Sequence, residues 1–181
     1  MANDQTGNPW IIDTVGILWD KPIVVKQVVL RPNAAADYAT FYRWNPTSAL
    51  ASMDAKTATA ASGVIGSTGN FQTAEAAAYG VIEFGDWCVT AAGAASANCR
   101  VKRMIASRDN DNQITLTPTT GVTDEASATY YWKTYSPVTA FSVVSAGTEK
   151  CTETWAPPEP VLLPNLVLGV LSASAVLEIY I

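Results

Sequence analysis

The sequence predicts an all-β fold, a β-sandwich or barrel of jelly-roll-like type. Short runs of β-branched and aromatic residues alternate between apolar and polar positions, turn residues separate these runs, and no stretch has a convincing helical period over helical length. The 181 residues, 49% of them hydrophobic, are enough to bury a sizeable core. We predict a single β domain over 1–181, in which 8–46 and 146–181 form the core and 47–145 is an elaborated insertion.

Three strands are predicted near the beginning of the chain. They cover 10–16, 23–30 and 38–44, and clusters of Pro, Asn and Asp follow the second and third. In the third strand, Ala39 and Phe41 share one face, while the tyrosines at 38 and 42 share the other.

The composition changes after these strands. Residues 47–69 are rich in Ala, Ser and Thr and contain three glycines, which predicts an extended arm that becomes ordered against a neighbouring subunit, with an ordinary surface loop as the alternative. Residues 73–78 fit one helical turn with Thr73 as its N-cap.

Strand patterns then return until the polar, proline-containing stretch 148–159. The predicted strands are 79–84, 100–107, 113–118, 129–134 and 140–144. Residues 108–112 read Arg-Asp-Asn-Asp-Asn, and Asp and Asn tolerate the backbone angles of tight turns. This cluster therefore predicts a hairpin turn.

The most apolar stretch is 161–181. We predict two strands here, 162–168 and 175–181, joined by a turn at 172–174 into a final hairpin. The second strand alternates with period two, and its apolar face carries Ala175, Leu177, Ile179 and Ile181. A transmembrane span and a buried helix are the alternatives. Pro164, Glu178 and the lack of flanking Lys or Arg oppose the span, and Gly169 with the serine-rich turn opposes the helix.

Composition limits the function. A net charge of −5 and a pI near 4.6 argue against nucleic-acid binding, and a charged fraction of 15% is typical of a surface covered by partners. There is no histidine, which removes Ser-His-Asp and Cys-His nucleophiles and His-ligated zinc.

The cysteines do not predict a disulfide framework or a zinc site. Cys88, Cys99 and Cys151 are odd in number and lack paired spacing. Cys88 and Cys99 can still meet across a hairpin, and buried free thiols fit assembly in a reducing cytoplasm.

Other candidate sites favour plain structural interpretations. The Asp109-to-Asn112 cluster has Ile114 and Thr120 where a calcium loop needs Gly and Glu, so it predicts a turn. A glycosidase needs two carboxylates, but the three acidic residues of the polar stretch are interpreted as a solvated segment: Glu149, Glu153 and Glu159.

Basic and aromatic clusters are the remaining candidates. Lys102, Arg103 and Arg108 give the only local basic bias and suit an acidic patch on a partner. Four aromatic residues suit a sugar platform or, as we prefer, core and interface packing: Tyr130, Tyr131, Trp132 and Tyr135. We predict no catalytic residue, no cofactor and no metal.

The two ends carry short motifs. Asn8-Pro9-Trp10-Ile11-Ile12-Asp13-Thr14 fits N-P-W-[IV]-[IV]-D-T, and the last five residues fit L-x-I-Y-[IL]. With both ends present together, the chain resembles small virion structural proteins of tailed bacteriophages, of the head or decoration type. The resemblance covers the ends of the chain, and the middle reads as an insertion relative to the shortest such proteins.

The resemblance implies a structural, non-enzymatic role in the virion, after assembly in the host cytoplasm. The expected function is capsid decoration or cementing, with other copies of the chain and other virion proteins as partners and with no nucleic acid or membrane. The alternative is a tail-associated or fibre-associated module that binds host-surface carbohydrate. Because both ends look like strands, we also expect them to pair and close one sheet.

Overall fold

The structure is a computed structural model that describes residues 3–45, 55–67, 77–86, 88–119, 121–145 and 152–181, without side chains for 55–59 and 67. These residues form strands and no helix, so the predicted all-β class is confirmed. In chain order the strands are β1 (Trp10–Ile12), β2 (Gly16–Trp19), β3 (Ile23–Val25), β4 (Gln27–Arg31), β5 (Tyr38–Arg43), β6 (Ala55–Ala61), β7 (Val64–Ser67), β8 (Val81–Phe84), β9 (Lys102–Asn110), β10 (Gln113–Thr117), β11 (Glu125–Tyr135), β12 (Val138–Val144), β13 (Glu153–Trp155), β14 (Val161–Leu163), β15 (Leu166–Leu171) and β16 (Val176–Tyr180).

The chain divides into two compact units. The terminal unit contains Met1–Arg43 and Val138–Ile181, and the inserted unit contains Trp44–Pro137. We expected one domain with an insertion over 47–145, whereas the inserted unit has a hydrophobic core of its own. The inserted unit also ends at Pro137, earlier than the expected residue 145. The reason is that β12 pairs with β5 in the terminal unit, with Val144 opposite Tyr38.

The terminal unit is a β-sandwich. One sheet has the strand order β1-β16-β4-β13, the other has the order β12-β5-β15-β2, and a two-stranded sheet joins β14 to β3. All these pairs are antiparallel, and side chains from both four-stranded sheets meet in one core. Ile12, Leu30, Phe41, Leu168 and Ile179 are among its fully buried members.

The two ends of the chain pair with each other, as the sequence predicted. β1 lies antiparallel to β16, with Trp10 opposite Ile179 and Ile12 opposite Leu177. The Asn8 side chain extends this contact, since its Nδ2 donates to the Ile181 carbonyl oxygen (3.1 Å) and its Oδ1 accepts from the Ile181 N–H (3.3 Å). The two end motifs therefore form one structural element.

The predicted final hairpin is wrong. β15 and β16 follow each other in sequence but lie in different sheets, and a tight turn, in which the Ala175 N–H donates to the Ser172 carbonyl, takes the chain across the sandwich. Leu168 and Leu177 nevertheless face the same core. Alternation identifies which side chains are buried, but it does not identify the sheet to which a strand belongs.

Three predicted strands are each divided in two. The predicted strand 10–16 becomes β1 and the start of β2. The predicted strand 23–30 becomes β3 and β4, and the predicted strand 162–168 is divided between β14 and β15. At the second break the Lys26 N–H donates to the Tyr180 carbonyl. At the third, Pro164 has no N–H to donate to a ladder.

The inserted unit is a closed six-stranded barrel in the order β10-β7-β6-β11-β8-β9. Its core is aromatic and aliphatic: Phe84 lies 5.2 Å from Tyr130 and 6.1 Å from Trp132, measured between ring centroids. The predicted hairpin around 108–112 is confirmed, since β9 and β10 pair on either side of a turn at Asp111 and Asn112.

The prediction of an extended arm is wrong where the structure describes it. Residues 55–67 form the β6–β7 hairpin, and positive φ angles at Ser62 (51°) and Gly63 (77°) make its two-residue turn. The small side chains predicted too little apolar burial for order, but main-chain pairing of β6 to both β7 and β11 does not depend on side-chain size. Residues 47–54, 68 and 69 lie outside the described residues, as do 73–76 of the predicted helical turn.

Candidate binding surface

Exposed apolar side chains are unevenly distributed. Among the described residues, every exposed large hydrophobic side chain belongs to the terminal unit: Ile11, Trp19, Val24, Tyr38, Val138, Val144 and Leu162. Isolated exposed apolar residues are ordinary, whereas neighbouring ones indicate a contact surface. The positions of these side chains relative to one another therefore decide whether they form a contact surface.

Val24 and Leu162 are direct neighbours. They are cross-strand partners in the β3–β14 sheet, and their exposed fractions are 41% and 68%. The residues beside them, Ile23, Val25 and Leu163, are buried. This small sheet is thus apolar on both faces, with one face in the core and the other in solvent.

A groove of about 630 Å³ adjoins this pair through Val24. Its apolar lining consists of Trp10, Trp19, Pro22, Ile23, Val24 and Ile181, and the side chains of Gln5 and Thr6 with Gly7 form a polar wall. The indole of Trp19 is 39% exposed and rests on the buried indole of Trp10, with 5.4 Å between ring centroids. We call Trp19, Val24 and Leu162 the terminal patch.

No charged side chain is among the described residues that line the groove. The nearest polar groups have partners: Gln5 Nε2 donates to the Leu18 carbonyl (2.8 Å), and the Thr6 hydroxyl donates to Asp4 (2.7 Å). Lys26 donates to the Ile181 main-chain oxygen (2.9 Å). The groove and the terminal patch thus suit a partly apolar occupant.

A second cluster lies in the inserted unit and centres on Glu125. Its Oε2 accepts hydrogen bonds from the Ser96 hydroxyl (2.5 Å), the Tyr130 hydroxyl (2.8 Å) and Asn98 Nδ2 (3.3 Å), and its Oε1 accepts from the Ala97 N–H (2.8 Å). Burial favours the neutral acid, but the donated hydrogen bonds outweigh it and lower the pKa of Glu125.

This cluster, which we call the Glu125 clasp, ties two loops to the barrel. Asn98 is fully buried and exchanges hydrogen bonds with the main chain of Thr123, each at 2.8 Å. Burial, together with the bond to Glu125, raises the pKa of Tyr130 to about 12. A carboxylate engaged by four donors stabilises a loop; it is poorly placed to take a proton from a substrate.

The aromatic cluster predicted from sequence lies mainly in the barrel core. Tyr130, Trp132 and Tyr135 are buried and Tyr131 is half-buried, so the interpretation as a sugar platform is wrong and core packing is confirmed. The Tyr135 hydroxyl donates to Glu83 (2.9 Å), and burial together with that carboxylate raises its pKa to about 12.

The charged candidates have structural partners. Lys102 lies 3.7 Å from Glu83, and Arg108 pairs with Asp111 at the β9–β10 turn. In the same turn Asp109 accepts hydrogen bonds from Ser107 and Thr115, which lower its pKa. The turn interpretation of this cluster is confirmed.

Cys88 and Cys99 are neighbours in the inserted unit, whereas the acidic candidates Glu153 and Glu159 belong to the terminal unit. Cys88 and Cys99 are both free thiols, and Cys99 Sγ lies 3.1 Å from the Cys88 carbonyl. Burial raises the pKa of Cys88. Glu153 lies in β13 and Glu159 is exposed, whereas Glu149 and Cys151 fall outside the described residues.

Sequence reasoning missed both the terminal patch and the Glu125 clasp. Val24 and Leu162 sit in continuous apolar runs, where a period of two cannot show which side chain faces solvent. The clasp joins Ser96, Asn98 and Glu125 across loops, and no local motif links those positions.

Comparison with known proteins gave no match: no protein-family model, curated protein or solved structure is significantly similar to this chain. In the part of the chain that the structure describes, no helix is long and apolar enough to span a membrane. The same residues contain no group of three or more His, Cys, Asp or Glu side chains that could hold a metal ion.

Proposed function

We propose that this protein is a bacteriophage virion structural protein that decorates or cements a capsid by binding its neighbours. The observation that carries the proposal is the exposed apolar surface formed by the terminal patch and its groove. The residues that resemble phage virion proteins belong to the same unit, and Trp10 and Ile181 line the groove itself.

The binding mechanism follows from burial of this surface. Covering a large aliphatic side chain on a partner contributes about 1.5–3 kcal/mol when the burial is complete. Val24 and Leu162 form a preordered pair on paired strands, so little conformational entropy is lost when a partner covers them. A capsid shell presents many equivalent sites, and each bound copy would contribute this binding free energy. The bound copies would then hold neighbouring capsid subunits together.

Localisation in the virion tests the proposal. Particles of the phage that carries the gene are purified, and the protein is detected by mass spectrometry and placed by electron cryomicroscopy. Many symmetric copies on the shell are expected. Absence of the protein from purified particles would contradict a virion role altogether.

The groove supports a second candidate, a tail or fibre module that binds a neutral host saccharide. An exposed indole beside a polar wall matches the apolar face and hydroxyl rim of a pyranose, and Trp19 with Gln5 and Thr6 provides both. A few copies at the tail, and glycan binding that is lost in Trp19→Ala, would favour this candidate over shell decoration.

A further inference from the structure

The sandwich of the terminal unit has four edge strands, and three of them are protected. β1 is covered by a bridge in which Asp4 and Ile11 exchange two main-chain hydrogen bonds, each of 2.8 Å. On β2, the Leu18 carbonyl accepts a hydrogen bond from Gln5. β13 has only three residues and carries Glu153. Bridges, shortness and charge are the usual means of preventing unwanted strand pairing.

The fourth edge strand, β12, differs from the others. It has seven residues, VTAFSVV, with no charge and no proline, and among the described strands it forms a ladder only with β5. A register shift between Thr139 and Phe141 interrupts its first part, but the pairing from Phe141 to Val144 is regular. A regular, uncharged stretch at a sheet edge is a template for another strand.

β12 is anchored to the core through Phe141, and its outer side carries one exposed apolar cross-strand pair. Phe141 points inward and stacks on Phe41 and on Trp155, with 4.5 Å and 3.9 Å between ring centroids. On the outer side Val144 lies opposite Tyr38, and the two are 56% and 44% exposed. An added strand would therefore meet a fixed edge and would cover an apolar pair.

We infer that β12 is a self-association edge, at which a second copy of the chain adds its own β12 in antiparallel orientation. A two-fold axis brings β12 of one copy beside β12 of the other. The whole chain carries a net charge of −5, but β12 has no charged residue, so the two paired strands do not repel each other. The β12-β5-β15-β2 sheet of one copy then continues into the same sheet of the other copy. This inference rests on the proposed binding function, because it names the surface through which copies of the chain meet.

Sedimentation velocity on the full chain over a range of concentrations tests the inference. We expect a concentration-dependent dimer for the wild type. Val144→Lys places two lysines close to the shared edge and should raise the dissociation constant by about ten-fold or more. Ala126→Lys is the matched control, since it adds the same charge at an exposed position in the inserted unit, away from β12 and the terminal patch, and its dimerisation should equal that of the wild type.

Hydrogen exchange provides a second readout. Amides of 138–145 should exchange faster at low concentration and become protected as the dimer forms, and Ser142→Lys should give the same result if Val144→Lys does not fold. A monomer at every concentration, a dimer unaffected by both lysine variants, or concentration-independent protection of 138–145 would overturn the inference. None of these results depends on where the protein is found in a virion, so the proposed function is tested separately.

Discussion

The two units differ in how they treat apolar surface and sheet edges. The inserted unit closes its six strands into a barrel, which leaves no edge along the ring, and it buries Phe84, Tyr130 and Trp132 in its core. The terminal unit has open sheets and all the exposed large apolar side chains among the described residues. On the basis of this difference, we propose that binding belongs to the terminal unit, whereas the inserted unit buries its own core.

The polar interactions support the same division. In the inserted unit the Glu125 clasp satisfies a carboxylate internally. In the terminal unit the corresponding devices, the Asp4 bridge and the Gln5 side chain, protect individual edges, and among the described residues no such contact covers β12 or the terminal patch. Four predictions test this contrast, beginning with the largest expected effect.

Removal of 175–181 should unfold the terminal unit. β16 is an interior strand between β1 and β4, and Leu177 and Ile179 are fully buried. Losing several such side chains, at about 1.5–3 kcal/mol each, exceeds what a typical domain can spare. Hydrogen exchange should show rapid exchange throughout the terminal unit and continued protection of β8 to β11. Simultaneous loss of protection in both units would mean that they fold as one.

Trp132→Ala should lower the free energy of unfolding of the inserted unit by about 3–5 kcal/mol, because it empties a fully buried site beside Phe84. The matched control is Leu162→Ala in the terminal unit, where a mostly exposed side chain is lost and we expect a change within about 0.5 kcal/mol. Chemical denaturation measures both values. Equal effects would contradict the assignment of core and surface.

Glu125→Gln should destabilise the inserted unit by about 1–3 kcal/mol near neutral pH, because hydrogen bonds to a charged acceptor are lost. The pKa of Glu125 is lowered in the folded state, so its contribution to stability is fully present above the ordinary glutamate pKa of about 4.3 and is lost as the pH falls below that value and through the lowered pKa of the folded state. The difference in the free energy of unfolding between the variant and the wild type should therefore become smaller as the pH is lowered. Glu159→Gln, at an exposed site, is the control and should change the free energy of unfolding by no more than about 0.5 kcal/mol.

The sequence predicted what alternation can encode. The all-β class, the pairing of the two ends and the buried face of Leu177 and Ile179 are all visible in period-two patterns and all hold. The arm over 47–69 was predicted wrongly where it is described, because main-chain pairing orders small residues that bury little area. The final hairpin was predicted wrongly because a pattern of buried side chains does not specify the partner strand.

The candidate sites depended on longer-range information. Val24 and Leu162 meet only because β3 and β14, far apart in the chain, pair in register. The Glu125 clasp depends on loops that bring Ser96 and Asn98 to β11. Composition correctly favoured core packing for the aromatic cluster at 130–135, but it could not predict which apolar residues would remain in solvent.

The most direct test of the binding role is attachment of purified protein to phage particles assembled without it. Leu162→Lys places a charge in the terminal patch, and Ala126→Lys places the same charge on an exposed position of the inserted unit. We predict that the Ala126 variant binds as tightly as the wild type and that the Leu162 variant binds about ten-fold or more weakly, a loss of at least ~1.4 kcal/mol. Equal binding by all three proteins, or a selective loss in the Ala126 variant, would contradict the assignment of binding to the terminal unit.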